Sequence, residues 1–198
     1  MQCIRADLSL GILAGGRASR LGGLDKAWLR REGEAQVLRL ARVYREQVVQ
    51  VWVSANRDLA RYRRHGLRAV SDSTPDLGPL GGLAALAAAC TTPWLFTLPV
   101  DAVAPDGRVL SALIDAQDGQ GAYAVDDEGV QPLFALWPVA ALRTALAQAL
   151  AQRRLAVREL QAGLGMAALR LDGLRFGNLN SPEDLLAHGF VADDAPGR

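Results

Sequence analysis

Residues 8–26 read LSLGILAGGRASRLGGLDK, and the first half of that stretch sets the fold. Residues 8–14 (LSLGILA) form a short apolar run that stops at Gly15-Gly16, as a buried strand running into a tight loop does. Working outward, strand-like and helix-like segments alternate. Residues 35–47 place Val37, Leu40, Ala41 and Tyr44 at i, i+3, i+4 and i+7, the spacing of one helix face. Residues 48–54 (VVQVWVS) are β-branched and alternating, which predicts a strand. A short basic helix at 57–65, a strand at 67–71, a loop at 72–82, an Ala/Leu helix at 83–90 and a strand at 94–98 follow. Next come a helix at 108–116, strands at 121–126 and 132–137 around an acidic turn, helices at 139–152 and 155–163, and a strand at 167–172. Ser181-Pro182-Glu183-Asp184 opens a last helix with a cap, an N1 proline and two acids at its positive end. The expected class is α/β, with a mainly parallel sheet and helices on both faces. One domain is expected over residues 1–190, with a frayed tail over 191–198.

Composition narrows the function. Of the 198 residues, 50% are hydrophobic and 22% charged, which excludes a disordered chain. A net charge of +1 argues against nucleic acid as a partner. Cys3 and Cys90 form no CxxC pair, and His65 and His188 are the only histidines, so a zinc site or a Ser-His-Asp triad has little material. Residues 77–100 carry no charge, but Pro79, Gly81, Gly82, Pro93 and Pro99 break them up, so no membrane span is expected. The start, MQCIRADLSL, is a poor signal peptide because Asp7 interrupts it, and the expected location is cytoplasmic. Residues 1–68 carry a charge balance of +8 and residues 69–198 one of −7. Either Arg61, Arg63 and Arg64 form a solvated helix face, or the first third of the chain holds a polyanionic small ligand. Among the 22 basic residues only one is lysine, Lys26. Codon drift toward arginine explains the excess, and a lysine that survives it marks a place where a compact ammonium and a planar fork are not interchangeable.

In a doubly wound sheet, ligands sit beyond the carboxyl ends of the strands. Here those positions are 15–26, 55–57, 72–82 and 99–101. The first holds two glycine pairs with Arg17, Arg20 and Lys26, which suits a nucleoside triphosphate; a plain structural turn is the other reading. It is neither a Walker A loop nor a GxGxxG fingerprint. Asp101, directly after strand 94–98, is placed either to hold a divalent cation against phosphates or to make an Asx turn. Asp72 raises the same question.

These segments, in this order, resemble the molybdenum cofactor guanylyltransferase family, the MobA-type nucleotidyltransferases. LAGGRASRLGG with Asp25-Lys26, Asn56 in SANR, Asp72, GPLGG at 78–82, LPVD at 98–101, QPLFALWP at 131–138 and FGNLNSPEDL at 176–185 carry the likeness, which spans nearly the whole chain. The resemblance implies a Rossmann-like nucleotidyltransferase domain. It would transfer GMP from GTP to the terminal phosphate of molybdopterin and release pyrophosphate, with Mg²⁺ as cofactor. It implies Leu13, Ala14, Gly15, Gly16, Lys26, Asn56, Asp72, Gly81 and Asp101 as nucleotide-binding residues. Arg20, Lys26 and Asp101 would be catalytic, with Asp101 on the metal. Asn178, Asn180 and Gln131 fall on the pterin side; the other reading of the two asparagines is that they hold the turn before the last helix. Proteins that donate and accept the cofactor would be partners. One departure stands out: relatives often carry Gly-Lys-Pro where this chain has Gly33-Glu34-Ala35. The alternatives are a cytidylyltransferase acting on the same pterin, or a non-catalytic carrier of GTP or pterin.

Overall fold

A computed structural model describes residues 7–15, 24–74 and 76–193. The chain runs β1 (Leu8–Leu13), β2 (Arg30–Arg31), β3 (Glu34–Ala35), α1 (Gln36–Tyr44), β4 (Gln50–Ser54), α2 (Leu59–Arg64), β5 (Arg68–Val70), α3 (Pro79–Ala89) and β6 (Trp94–Pro99). It continues through α4 (Arg108–Ala116), β7 (Ala122–Asp126), β8 (Gly129–Pro138), α5 (Val139–Ala151), α6 (Val157–Leu164), β9 (Ala167–Arg170), α7 (Pro182–Ala187) and β10 (Phe190–Val191).

Seven strands form one sheet in the order β5-β4-β1-β6-β8-β7-β9. All its pairs are parallel except β6–β8 and β7–β8. β1 lies inside the sheet between β4 and β6, with Leu8, Ser9, Leu10 and Ile12 all buried, as in a strand covered on both faces. Side chains that alternate along β6 feed two cores. Phe96 and Leu98 pack with Tyr44, Leu110 and Leu113 of α1 and α4, and Leu95 packs with Leu83, Leu86, Leu142 and Leu146 of α3 and α5. Helices therefore cover both faces, in the Rossmann-like arrangement expected. The connection from β1 leads to β4 on one side, and the return through α3 leads to β6 on the other. This reversal opens a crevice at the carboxyl end of β1.

Two features depart from the pattern read in the sequence. Helix α3 begins at Pro79, inside the expected loop. Gly78 takes a positive φ of 57° and Pro79 supplies a preset φ at N1. Gly81 and Gly82 lie inside the helix, and a side chain at either would force a shift: a Cβ on Gly81 would lie 2.9 Å from Asp72 Oδ2, and one on Gly82 would lie 2.7 Å from Ser54 Oγ. These glycines bring the helix onto the strand ends rather than break it. The second departure is a small antiparallel sheet, β10-β2-β3. The turn Glu32-Gly33 has φ values of 54° and 80°, which joins β2 to β3 as a two-residue hairpin. Glu34, at the Gly33-Glu34-Ala35 departure, accepts two hydrogen bonds from the Arg42 guanidinium of α1, at 3.0 and 2.9 Å. The hydrogen bond from Arg42 lowers the pKa of Glu34.

Residues 191–193, expected in a frayed tail, are held down. Val191 pairs with Arg30 in β2, and Asp193 accepts from Arg30 Nε at 2.7 Å and also from the Arg61 guanidinium. Residues 194–198 of that tail lie outside the described residues. The Arg30 hydrogen bond, with Arg61 beside it, holds the Asp193 carboxyl below its usual range. A depressed folded-state pKa contributes stability that is complete above the unfolded value, near 3.9, and is lost as pH falls through the folded one. Asp193→Asn is therefore expected to lower the urea midpoint at pH 7, with the gap to wild type closing in acid. An equal gap at pH 7 and pH 3 would show that the carboxylate's charge does not act. Among the described residues no helix is long and apolar enough to cross a membrane.

Candidate active site

The crevice is a cleft of about 890 Å³ at the carboxyl ends of β1, β4, β5 and β6. Beyond β1, backbone pairing continues: Ala14 N–H donates to Ser54 O at 2.8 Å, and Val100 N–H donates to Leu13 O at 2.9 Å. Leu13, Ala14 and Gly15 thus form the cleft floor. Gly15 is tight against one wall, since a Cβ there would sit 3.3 Å from Asn56 Nδ2. Gly16, Arg17 and Arg20 lie outside the described residues.

Asn56 and Asp72 form that wall. Asn56 Nδ2 donates to Asp72 Oδ2 at 3.1 Å, and Asp72 N–H donates back to Asn56 Oδ1 at 2.9 Å. Ser54 Oγ donates to Asp72 Oδ1 at 3.2 Å. The carboxylate is fixed in orientation yet keeps acceptor capacity, so it can receive N–H or O–H donors from a ligand. Gly81 is buried in the first turn of α3 against this carboxylate, not among the residues lining the cleft.

The opposite wall carries the charge. Asp25 caps a 3₁₀ turn over Lys26–Trp28, accepting from Ala27 N–H at 3.0 Å, and burial raises its pKa. The capped turn sets Lys26 at the edge of the cleft. Lys26 Nζ donates to Asp101 Oδ2 at 2.9 Å and to Asn180 Oδ1 at 3.0 Å. Asp101 follows β6 directly, and its carbonyl accepts from Leu179 N–H at 3.0 Å. Among the described residues, Asp101 Oδ1 accepts no hydrogen bond. Two oxygens therefore already surround one cation, the ammonium, which is the donor chemistry a hard divalent ion takes. Among the described residues, no group of three or more His, Cys, Asp or Glu side chains is placed to hold a metal ion. A metal caged wholly by such side chains does not fit there, but one completed by a ligand's phosphates does.

Asn180 is thus at the charged wall. Asn178 is exposed, and its backbone bridges Ala102. Gln131 is not among the cleft-lining residues; its Nε2 donates to Asp126 Oδ1 at 3.0 Å. Ser54, Tyr62 and Leu133 line the cleft and were missed. Ser54 could have been found as the last residue of its strand, whereas Tyr62 and Leu133 give no local signal.

Residues 10–167 match the family described as MobA-like NTP transferase domain. A molybdenum cofactor guanylyltransferase of Cupriavidus taiwanensis is 34% identical over 194 residues, covering 93% of this chain and 97% of the relative. The crystal structure of molybdopterin-guanine dinucleotide biosynthesis protein A from Archaeoglobus fulgidus superposes with a TM-score of 0.68 at 18% identity, covering 91% of this chain and 96% of that one. That of 2-C-methyl-D-erythritol 4-phosphate cytidylyltransferase from Thermus thermophilus also gives 0.68, at 16% identity, covering 90% and 96%. The fold is shared by structures whose names specify different nucleotide bases. With the Asn56–Asp72 wall and the Lys26–Asp101 pair at the crevice, and with the match over residues 10–167, the chain belongs to the MobA-like NTP transferase family.

Proposed function

We propose that this protein transfers the guanylyl group of GTP to the terminal phosphate of molybdopterin. An oxygen of that phosphate attacks the α-phosphorus, the bond to the bridging oxygen breaks, and pyrophosphate leaves with the electron pair. A phosphate monoester is already largely ionised near neutral pH, so no strong general base is needed, and the protein's task is positioning and charge neutralisation. This agrees with a cleft whose described lining contains no histidine.

The observation that carries the reading is the Lys26 ammonium held on the cleft's charged wall at 2.9 Å from Asp101. Lys26 and Arg20 oppose the charge that builds on the leaving group. Asn56 and Asp72 receive donors from the nucleoside. Mg²⁺ would be held by Asp101, with the Asn180 amide oxygen beside it, and bound there it would screen the triphosphate. The guanine preference is supported by the name of the Cupriavidus relative.

The test is pyrophosphate release on mixing the protein with Mg²⁺, molybdopterin and either GTP or CTP. Release with GTP that requires all three components is expected, with little from CTP. Faster release with CTP would make the protein a cytidylyltransferase, and tight GTP binding with no release would make it a carrier.

A further inference from the structure

Asp126, the last residue of β7, is fully buried, and nothing in the reaction above uses it. No cation pairs with it among the described residues. An isolated buried carboxylate is unfavourable by several kcal/mol unless hydrogen bonds replace its water. Three amide donors do so. Glu128 N–H at 2.9 Å and Gln131 Nε2 at 3.0 Å reach Oδ1, and Phe176 N–H at 3.0 Å reaches Oδ2. The first two partners lie within the β7–β8 hairpin. The third lies 50 residues away, on the segment that ends at Asn180.

That segment is fastened at successive points to the loop carrying Asp101. The Phe176 carbonyl accepts from Val103 and Ala104 N–H, both at 2.9 Å, and the Phe176 ring stacks on Phe134 with centroids 3.9 Å apart. Gly177 has a φ of 62°, which turns the chain where a Cβ would lie 3.3 Å from Val103 Cβ. Asn178 then bridges Ala102, Leu179 N–H bonds the Asp101 carbonyl, and Asn180 reaches Lys26. One continuous run of contacts leads from the buried carboxylate to the charged wall. It bypasses the Asn56–Asp72 wall on the far side of β1.

We propose that Asp126 is a positioning residue for the charged wall of the site, setting segment 176–180 against Lys26 and Asp101, and that Gln131 acts through Asp126 rather than on a substrate. The reaction which that wall serves rests on the function proposed above. Asparagine at position 126 cannot reproduce the contacts. With its one oxygen on Glu128 N–H, its amide faces Phe176 N–H; turned over, it faces Glu128 N–H. One backbone donor is left unmatched either way.

The test combines steady-state kinetics with hydrogen exchange read by mass spectrometry on Asp126→Asn, Gln131→Leu and the double variant. Asp126→Asn is expected to speed exchange in peptides spanning 174–180 and to lower kcat about tenfold, the scale of one buried hydrogen-bond contact. The KM for GTP and exchange around 54–56 stay at wild-type values. Gln131→Leu leaves the carboxylate two backbone donors, so it shifts the same readouts less, and the double variant is no worse than Asp126→Asn. If Asp126→Asn does not fold, Gln131→Leu decides alone, since unchanged exchange at 174–180 in that variant would overturn the proposal. So would equally faster exchange around 54–56, or a further loss of kcat when Gln131→Leu is added to Asp126→Asn. A wild-type protein that transfers nothing from GTP would sink the functional reading, while the exchange measurements would still judge the positioning role.

Discussion

Asp101→Ala is expected to lower GMP transfer on the order of 10³-fold while the protein stays folded. Two features of the site give this result. The Asp101 carboxylate is the one acidic group in contact with Lys26 among the described residues, and it is also the group assigned to the divalent cation. Its loss removes the cation's anchor and leaves Lys26, among the described residues, with the Asn180 hydrogen bond. The fold depends on Asp101 through its backbone, because the carbonyl accepts from Leu179 N–H, and alanine keeps that bond. The side chain is 24% exposed, so losing its ion pair costs about 1 kcal/mol or less in stability. Single-turnover transfer and thermal unfolding, measured together, separate the two effects. Asp101→Asn adds a control: it can still accept a hydrogen bond from Lys26 but lacks the charge, so it should be nearly as inactive. Wild-type turnover in either variant would remove Asp101 from the chemistry.

The strand and helix order was legible because burial on two covered faces leaves a periodic trace. Val109, Leu110 and Leu113 line one side of a helix whose limits coincide with the 108–116 read from the sequence. Two-residue strands leave no such trace, so the β10-β2-β3 sheet was invisible until Arg31 was seen paired with both Glu34 and Phe190. Pro79, Gly81 and Gly82 were misleading for a physical reason. The same residues that break a helix in its middle can start one and let it approach a carboxylate and a serine closely.

The site divides along the same line. That Asn56, Asp72, Lys26 and Asp101 share one cleft was legible because each stands at or near the carboxyl end of a strand or in the loop beyond one, where topology gathers them. What joins them was hidden. The Lys26–Asn180 bond spans 154 residues, and the Asp126–Phe176 bond spans 50. Gln131 illustrates the limit: its position in the chain resembles a substrate contact, and its side chain ends on a buried carboxylate instead.

Lys26→Arg is expected to reduce kcat about 10²-fold with a much smaller change in the KM for GTP, because charge is kept and geometry is not. The ammonium sits between two oxygens at 2.9 and 3.0 Å, and its side chain is only 18% exposed. The main chain beneath it has little freedom. Asp25 caps the turn, and Trp28, two residues on, is buried beneath the Arg61 guanidinium, 4.0 Å from its ring centroid. A guanidinium is longer and planar, so it must displace Asp101 or Asn180, or bind Asp101 through both oxygens. Any of these outcomes removes a point charge from the place where the leaving pyrophosphate gathers charge. Lys26→Met separates the contributions further: without charge, the KM for GTP should rise as well as kcat fall. Steady-state kinetics with GTP as the varied substrate reads both values. An arginine variant with wild-type kcat would mean that the chain's one lysine is a remnant of codon drift. Loss of kcat in the arginine variant, with GTP still bound, would mean that an ammonium is required there, and that this is why the lysine has persisted among 21 arginines.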